Sequence, residues 1–383
     1  MNRVAIQPTM LRWARERAGL DVAALVKRFP KYVEWEAGEL APTIKQLERF
    51  AKAVYVPEGY LFLPDPPVEE VPIPDFRTMG GRAVVRPSPN LLDTIYACQS
   101  RQDWYREYAQ QVREPSLPFV GSFSLDTLPV LAAQAMADVL DFDISARRDM
   151  RTWEDALRSF IAQVDRVGIM VMVSGVVMSN DQRKLDPEEF RGFALSDALA
   201  PLVFVNGADT KAAQMFTLAH ELAHIGLGQS ALTDITVASH SQRQIEQWCN
   251  QAAAELLAPL DTVRALLHAD EPLPDTLQRL AKHFKVSTLV VLRRLLDAGV
   301  LDQATFHDVY VAELARVKQL AARSSGGGDF YRTTLSRVSR RFAGALVEST
   351  LEGRTLYRDA FHMLGVRKTA TFNEIGRQLG MVL

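Results

Sequence analysis

The sequence predicts a mostly helical α+β protein, on three observations. Apolar residues recur at helical spacing behind capping residues over most of the chain. Three short apolar or alternating runs between positions 168 and 206 are bounded by Gly, Asp, Pro or Asn, as strands are. The length, 383 residues, is more than one core usually holds. With 48% hydrophobic and 23% charged residues the composition is globular, which excludes a wholly disordered chain. The expected divisions are a helical bundle over 1–66, a Pro-rich linker and helix over 67–118, a central domain with a small sheet over 119–262, and a helical region over 263–383.

In the first module Met10, Trp13, Ala14 and Ala18 share a helical face, Gly19 stops that helix, and Asp21 caps a second from Val22 to Phe29. Pro30 ends it. A short helix holding Tyr32, Val33 and Trp35 closes at Gly38, and Thr43 caps a fourth whose face is Ile44, Leu47, Phe50, Ala51 and Val54. Prolines recur from Pro57 to Pro89, favouring extended backbone, and a helix follows from Leu91 to Val112. Strands are expected over Gly168 to Val173, Phe190 to Ser196 and Pro201 to Asn206, then helices over Thr210 to Leu227 and Arg243 to Leu257. The rest, from Asp275, reads as mostly helical, broken at a flexible Ser324 to Gly328 run. Within it Leu280 to Leu296 has a helix-turn-helix look, with Ser287 as a cap and Val290, Val291, Leu295 and Leu296 packed. Arg332, Arg337, Arg340 and Arg341 form a basic cluster, read as a solvated face or a sensor or partner surface.

A net charge of -2 gives no general attraction to nucleic acid, so any DNA contact must come from one module. Arg12, Arg15, Glu16 and Arg17 interrupt the first twenty residues, so no signal-peptide core is expected, and no apolar run reaches the ~20 residues of a membrane span. Cys98 and Cys249 alone cannot make a disulfide framework, and a reducing cytoplasm is the expected compartment.

The chemistry concentrates at His220-Glu221-x-x-His224. Residues four apart share a helix face, so two imidazoles reach one ion, while Glu221 projects beside it as a base. This is the zincin signature. No histidine precedes His220, and Leu227 and Ser230 exclude the metzincin extension. The third ligand is assigned to Glu246, with Asn250 one turn on to orient a ligating histidine. Glu255 and His240 are the alternatives, and Cys249 is read as a buried apolar residue outside the site.

The run Phe216 to His224, with Glu246 to Asn250 and Ala252 to Pro259, resembles the ImmA/IrrE metallo-endopeptidases. The resemblance implies Zn2+ held by His220, His224 and Glu246, Glu221 as general base, and site-specific cleavage of a protein partner. That partner would be a transcriptional repressor or a toxin-antitoxin component, cut in a stress response. It also implies that the Phe190 or Pro201 strand borders the cleft and can take an extended peptide at an exposed edge. His240 and Arg243 are candidates to stabilise the oxyanion.

Residues Thr9 to Leu63 are similar to Xre-type, lambda-repressor-like helix-turn-helix domains, chiefly at Trp35 to Glu39, Pro42, Thr43 and Leu47. The turn and reading helix are shorter than that pattern and carry Glu34 and Glu36. If the module binds DNA, Arg12, Arg15, Lys27, Arg28 and Lys31 contact phosphates. Otherwise it is a docking or homodimerisation element. The segment Pro72 to Thr78 also resembles combined Xre and ImmA/IrrE proteins. The readings carried forward are thus a regulatory metallo-endopeptidase, a DNA-binding or antitoxin-like regulator with a zincin scaffold, and a small-molecule sensor on that fold.

Overall fold

Local sequence signals set where the N-terminal helices start and stop. The computed structural model describes residues 3–74, 87–233, 240–323 and 330–381. They fall into two units, Met1–Pro72 with Val85–Asp93, and Ile73–Val84 with Thr94–Leu383. In the first unit α1 (Pro8–Arg17) has proline in its first turn, where a missing N–H costs nothing. The Asp21 side chain caps α2 (Val22–Arg28) by accepting from Ala24 N–H. A five-residue α3 (Tyr32–Glu36) follows, then α4 (Ile44–Val54), which opens on a capping box between Thr43 and Gln46. Their apolar faces meet in a core around Trp13, Tyr32, Trp35 and Phe50, where Tyr32 stacks on Phe50 at 5.5 Å between ring centroids.

Three expectations change here. Glu58–Phe62 form a 3-10 turn that buries Leu61, so the stretch after Pro57 begins packed rather than extended. Both aromatic residues of α3 point into the core, leaving Val33 as its exposed residue. Glu36 accepts from Arg12 at 3.0 Å and from Arg15 at 2.9 Å, so two of the five expected phosphate contacts are held by a carboxylate; Lys27, Arg28 and Lys31 are exposed. Residues 75–78 of the linker resemblance and the run 324–328 lie outside the described residues.

From Thr94, within α5 (Pro89–Val112), the second unit continues through α6 (Pro129–Leu140), α7 (Ile144–Asp149) and α8 (Trp153–Arg166) to a sheet with four strands among the described residues. Its strands are β1 (Met170–Ser174), β2 (Gly192–Leu195), β3 (Leu202–Asn206) and β4 (Ala231–Thr233), in the order β1-β3-β2-β4. β1 runs parallel to β3, and β2 is antiparallel to β3 and β4. The two strands expected to offer an edge are therefore interior. Among the described residues the edges are β1 and β4, and Leu232 N–H on β4 already donates to the Pro74 carbonyl at 2.9 Å.

Strand alternation gives the sheet two apolar faces. Val171, Ala194, Val203 and Val205 pack with Met215, Leu218 and Leu222 of α9 (Lys211–Gly226). α10 (His240–Leu257) lies against α9 and α6. On the other face Cys98 of α5 meets Met172, and Gln102 donates to the carbonyls of Leu195 and Ala200 at 2.9 and 2.8 Å. The first core runs on through α11 (Leu260–Ala265), α12 (Leu273–Phe284) and α13 (Thr288–Asp297), so it does not stop at 262. Ser287 caps α13 as expected, and Val291 and Leu295 are buried, while Val290 is partly so. Beyond it lie α14 (Gln303–Arg323), α15 (Phe330–Val338), α16 (Arg340–Leu351), α17 (Tyr357–Leu364) and α18 (Thr369–Gln378). The arginine cluster does not act as one surface: Arg337 faces Asp181, Arg340 donates to the Gln378 carbonyl, Arg341 pairs with Glu114, and the Arg332 side chain is outside the described residues.

Ser339, with φ at +67°, caps α16 and donates its hydroxyl to Asp165 Oδ1 at 2.9 Å, tying the C-terminal helices to α8. Burial pushes the Asp165 carboxyl up to about 6, against the hydrogen bonds it accepts from Ser339 and Val171. A folded pKa above the unfolded ~3.9 means that folding takes up a proton here. The stabilisation is complete below about pH 4 and is lost as pH rises through about 6. Asp165→Asn should therefore gain on the wild type in urea midpoint between about pH 4 and pH 7. A midpoint difference that stays flat over that range would sink the assignment.

Candidate metal centre

α9 begins at Thr210, whose hydroxyl caps Ala213 N–H at 3.2 Å. Buried Gln214 donates to the Gly207 and Asp209 carbonyls at 3.1 and 2.6 Å, stapling the helix to the loop after β3. Its far end is held by Gly121 and Phe123, whose N–H groups donate to the Ile225 and Gly226 carbonyls at 3.1 and 2.9 Å. A side chain at Gly226 would meet the Phe123 ring at 2.5 Å, so glycine permits that approach. α10 is anchored by Trp248, whose indole N–H donates to the Thr127 carbonyl at 2.7 Å beside Phe123.

Between these anchors three side chains converge. His220 Nε2 and His224 Nε2 are 3.1 Å apart, Glu246 Oε2 is 3.2 Å from the first and Glu246 Oε1 is 3.1 Å from the second. All three residues are at most 2% exposed. His220 Nδ1 donates to Asn250 Oδ1 at 3.1 Å, which leaves Nε2 a lone pair aimed at the other donors. Donors bound about 2.0–2.1 Å from a tetrahedral ion sit roughly 3.3 Å apart, so the spacing and the His, His, Glu set suit a shared divalent metal.

Burial opposes ionisation of Glu246, but the two imidazoles outweigh it and lower the carboxyl to about 2. Burial likewise disfavours protonated His220, yet Glu246 prevails and its pKa is raised. For His224 burial, with His220 alongside, lowers it. In this pocket Glu246 is thus favoured as the carboxylate and His220 is the more basic of the two imidazoles. Glu221 is fully buried, with Oε1 close to Gly192 of β2.

The alternatives separate cleanly. Glu255 pairs with Arg294 and accepts from Leu260 N–H, so it is turned from the histidines. His240, expected on a loop, is the first residue of α10, and its side chain lies outside the described residues; Arg243 is exposed on that helix. Cys249 is buried, and burial pushes its thiol well above the ordinary range, so it offers no thiolate. Asn250 stands where the one-turn spacing from Glu246 puts it.

Residues 164–296 match the family model described as IrrE N-terminal-like domain, a peptidase family, and residues 338–378 match one described as a domain of unknown function (DUF8813). Residues 164–296 thus resemble that family. Over 158 residues the chain is 32% identical to the radiation response metalloprotease IrrE of Deinococcus radiodurans. That alignment covers 40% of this chain and 46% of the relative, so the chain spans less than half of the relative's length. Among the described residues no helix is long and apolar enough to cross a membrane.

Sequence reasoning did not single out Gly192. A Cβ there would lie 2.5 Å from Thr217 Cγ2, 2.8 Å from the Phe204 carbonyl and 3.1 Å from Glu221 Oε1. The only sequence signal was a glycine inside a strand, which marks close approach of another element. Gly192→Ala should cost about 1–3 kcal/mol by overpacking. Thr217→Ser on that background, by removing the nearest methyl, should recover part of the loss in thermal unfolding. Additive effects of the two substitutions would count against the contact.

Proposed function

We propose that this protein is a zinc-dependent, site-specific endopeptidase that regulates transcription by cleaving a protein partner such as a repressor. His220, His224 and Glu246 are the metal ligands and Glu221 the general base. The reading is carried by three buried donor atoms converging at 3.1–3.2 Å within an IrrE-like domain. Zinc in this site would polarise the scissile carbonyl and bring the pKa of a bound water towards ~7. Glu221 takes the attacking water's proton and passes it to the leaving amide nitrogen. Asn250 holds His220 in the tautomer that leaves Nε2 free to bind.

An extended substrate pairing with β4, the sheet edge that adjoins β2 and hence Glu221, would have to displace the Pro74 carbonyl from Leu232 N–H. Such pairing reads little sequence, so the choice of partner falls to docking elsewhere. The N-terminal bundle suits that role better than groove reading, because α3 is five residues long and Glu36 neutralises Arg12 and Arg15.

Purified protein should carry one equivalent of zinc, and His220→Ala and Glu246→Ala should lose it; unchanged stoichiometric zinc in both would overturn the ligand set. Asn250→Ala should weaken zinc binding about 10–100-fold in a chelator competition. Glu221→Gln should keep the metal while cleavage of the partner falls by roughly 10²-fold or more. Intact regulation in cells carrying Glu221→Gln would favour a DNA-binding regulator with the zinc domain as scaffold.

A further inference from the structure

β4 is short enough that its backbone groups can be assigned one by one. In an antiparallel pair successive residues turn their N–H and C=O groups alternately towards the partner strand and away from it. Leu232, opposite Phe193, sends its N–H outward, to the Pro74 carbonyl at 2.9 Å. Ala231 and Thr233 therefore turn theirs towards β2, and Leu232 carries the outward donor and acceptor of a strand three residues long. The chain itself already holds that donor.

The segment that holds it has the form of a peptide lying on a sheet edge. Over residues 67–74 burial alternates residue by residue, the period of extended backbone. Ile73 is 7% exposed, while Pro72 and Pro74 on either side are exposed. Proline fixes φ at about −65° and has no N–H, so these two residues keep the segment extended and stop it from completing a ladder. Among the described contacts, one buried apolar side chain and one accepted backbone hydrogen bond hold Ile73 and Pro74 in place. That is enough to occupy the edge and little enough to be displaced.

The occupied edge is the one beside the candidate metal centre. Gly192 of β2 pairs with Thr233 of β4, and a Cβ at Gly192 would lie 3.1 Å from Glu221 Oε1. Neighbouring strands are ~4.8 Å apart, so a segment on the free side of β4 runs about 10 Å from β2. His220, His224, Glu246 and Glu221 are at most 2% exposed, so the centre in this conformation admits no polypeptide.

We propose that Ile73 and Pro74 are a built-in occupant of the peptide-binding edge, which they keep closed until an extended segment of a protein partner displaces them. The inference rests on the reading of β4 as the edge where a substrate pairs. The displacing segment is extended, with an apolar side chain where Ile73 lies and an acceptor carbonyl on the next residue. A tethered segment acts at an effective concentration of millimolar order, so a partner gains the edge only if docking contacts elsewhere raise its own local concentration.

The first test needs no catalysis. A fluorescent peptide with the sequence of residues 68–74 is titrated by anisotropy into the full chain carrying Glu221→Gln, with and without Ile73→Asp, which removes the apolar anchor. Ile73→Asp should tighten binding about tenfold or more, because apparent affinity scales with the fraction of molecules whose edge is free. Ile73→Ala should give a smaller gain, and it decides the question if Ile73→Asp does not fold. No gain, or no binding to either released variant up to roughly 5 mM, overturns the proposal, because a segment that weak could not hold the edge even when tethered. The second test is cleavage of β-casein, an unstructured protein, by the full chain supplied with zinc and with Glu221 intact. Ile73→Asp should cleave it about tenfold faster than wild type, or more. Equal, measurable rates overturn the proposal and leave the peptidase reading standing. Tighter peptide binding with no cleavage by either protein sinks the peptidase reading and supports the occupied edge.

Discussion

Three buried donor atoms with lone pairs turned towards one another repel unless a cation sits among them, and the central domain is built around that constraint. His220 Nε2, His224 Nε2 and the Glu246 carboxylate meet at 3.1–3.2 Å in a setting almost without solvent. A single proton on one imidazole can bridge only to a neighbour, whereas a metal ion accepts from all three atoms at once, so the His, His, Glu set suits a metal-loaded state.

Holding the donors there demands more than the motif. An i, i+4 pair fixes two atoms relative to each other, but Glu246 comes from another helix and must be placed to a few tenths of an ångström. α10 is fixed by Trp248 on the Thr127 carbonyl, and α9 by Gln214 at one end and the 121–123 segment at the other. Two glycines make room for this. Gly226 lets Phe123 press on α9, and Gly192 lets β2 lie against Thr217 and Glu221.

What could be read from the sequence was local, and what could not was long-range. The caps at Asp21, Thr43 and Ser287, the helix bearing the two histidines, and Glu246 with Asn250 on one face of a second helix all follow from spacing within a turn or two. The sheet order did not, because Ala231–Thr233 is three residues long and pairs with a strand nearly forty positions earlier. Its existence turns β2 from an edge strand into an interior one, while β3 lies between β1 and β2 in any case. Likewise Glu255 looked eligible as a ligand until Arg294, far along the chain, claimed it. The reading helix of the N-terminal bundle kept its sequence signature while both its aromatic residues turned inward.

The sheet gives the two unusual charges of this unit a common wall. Its α9 face carries a carboxylate and imidazoles whose donors suit a cation, and its α5 face carries the buried Arg101 guanidinium, held by the Met363 carbonyl and Met172. A four-stranded sheet whose sides alternate residue by residue cannot shift Phe204 without moving Val203 and Val205, because they share one backbone. Gly192 pairs with Val205 and sits beside Glu221. The packing of Phe204 on the α5 face and the placement of Glu221 on the α9 face therefore bear on the same two strands, β2 and β3. Close packing leaves those strands little freedom to answer one side without the other.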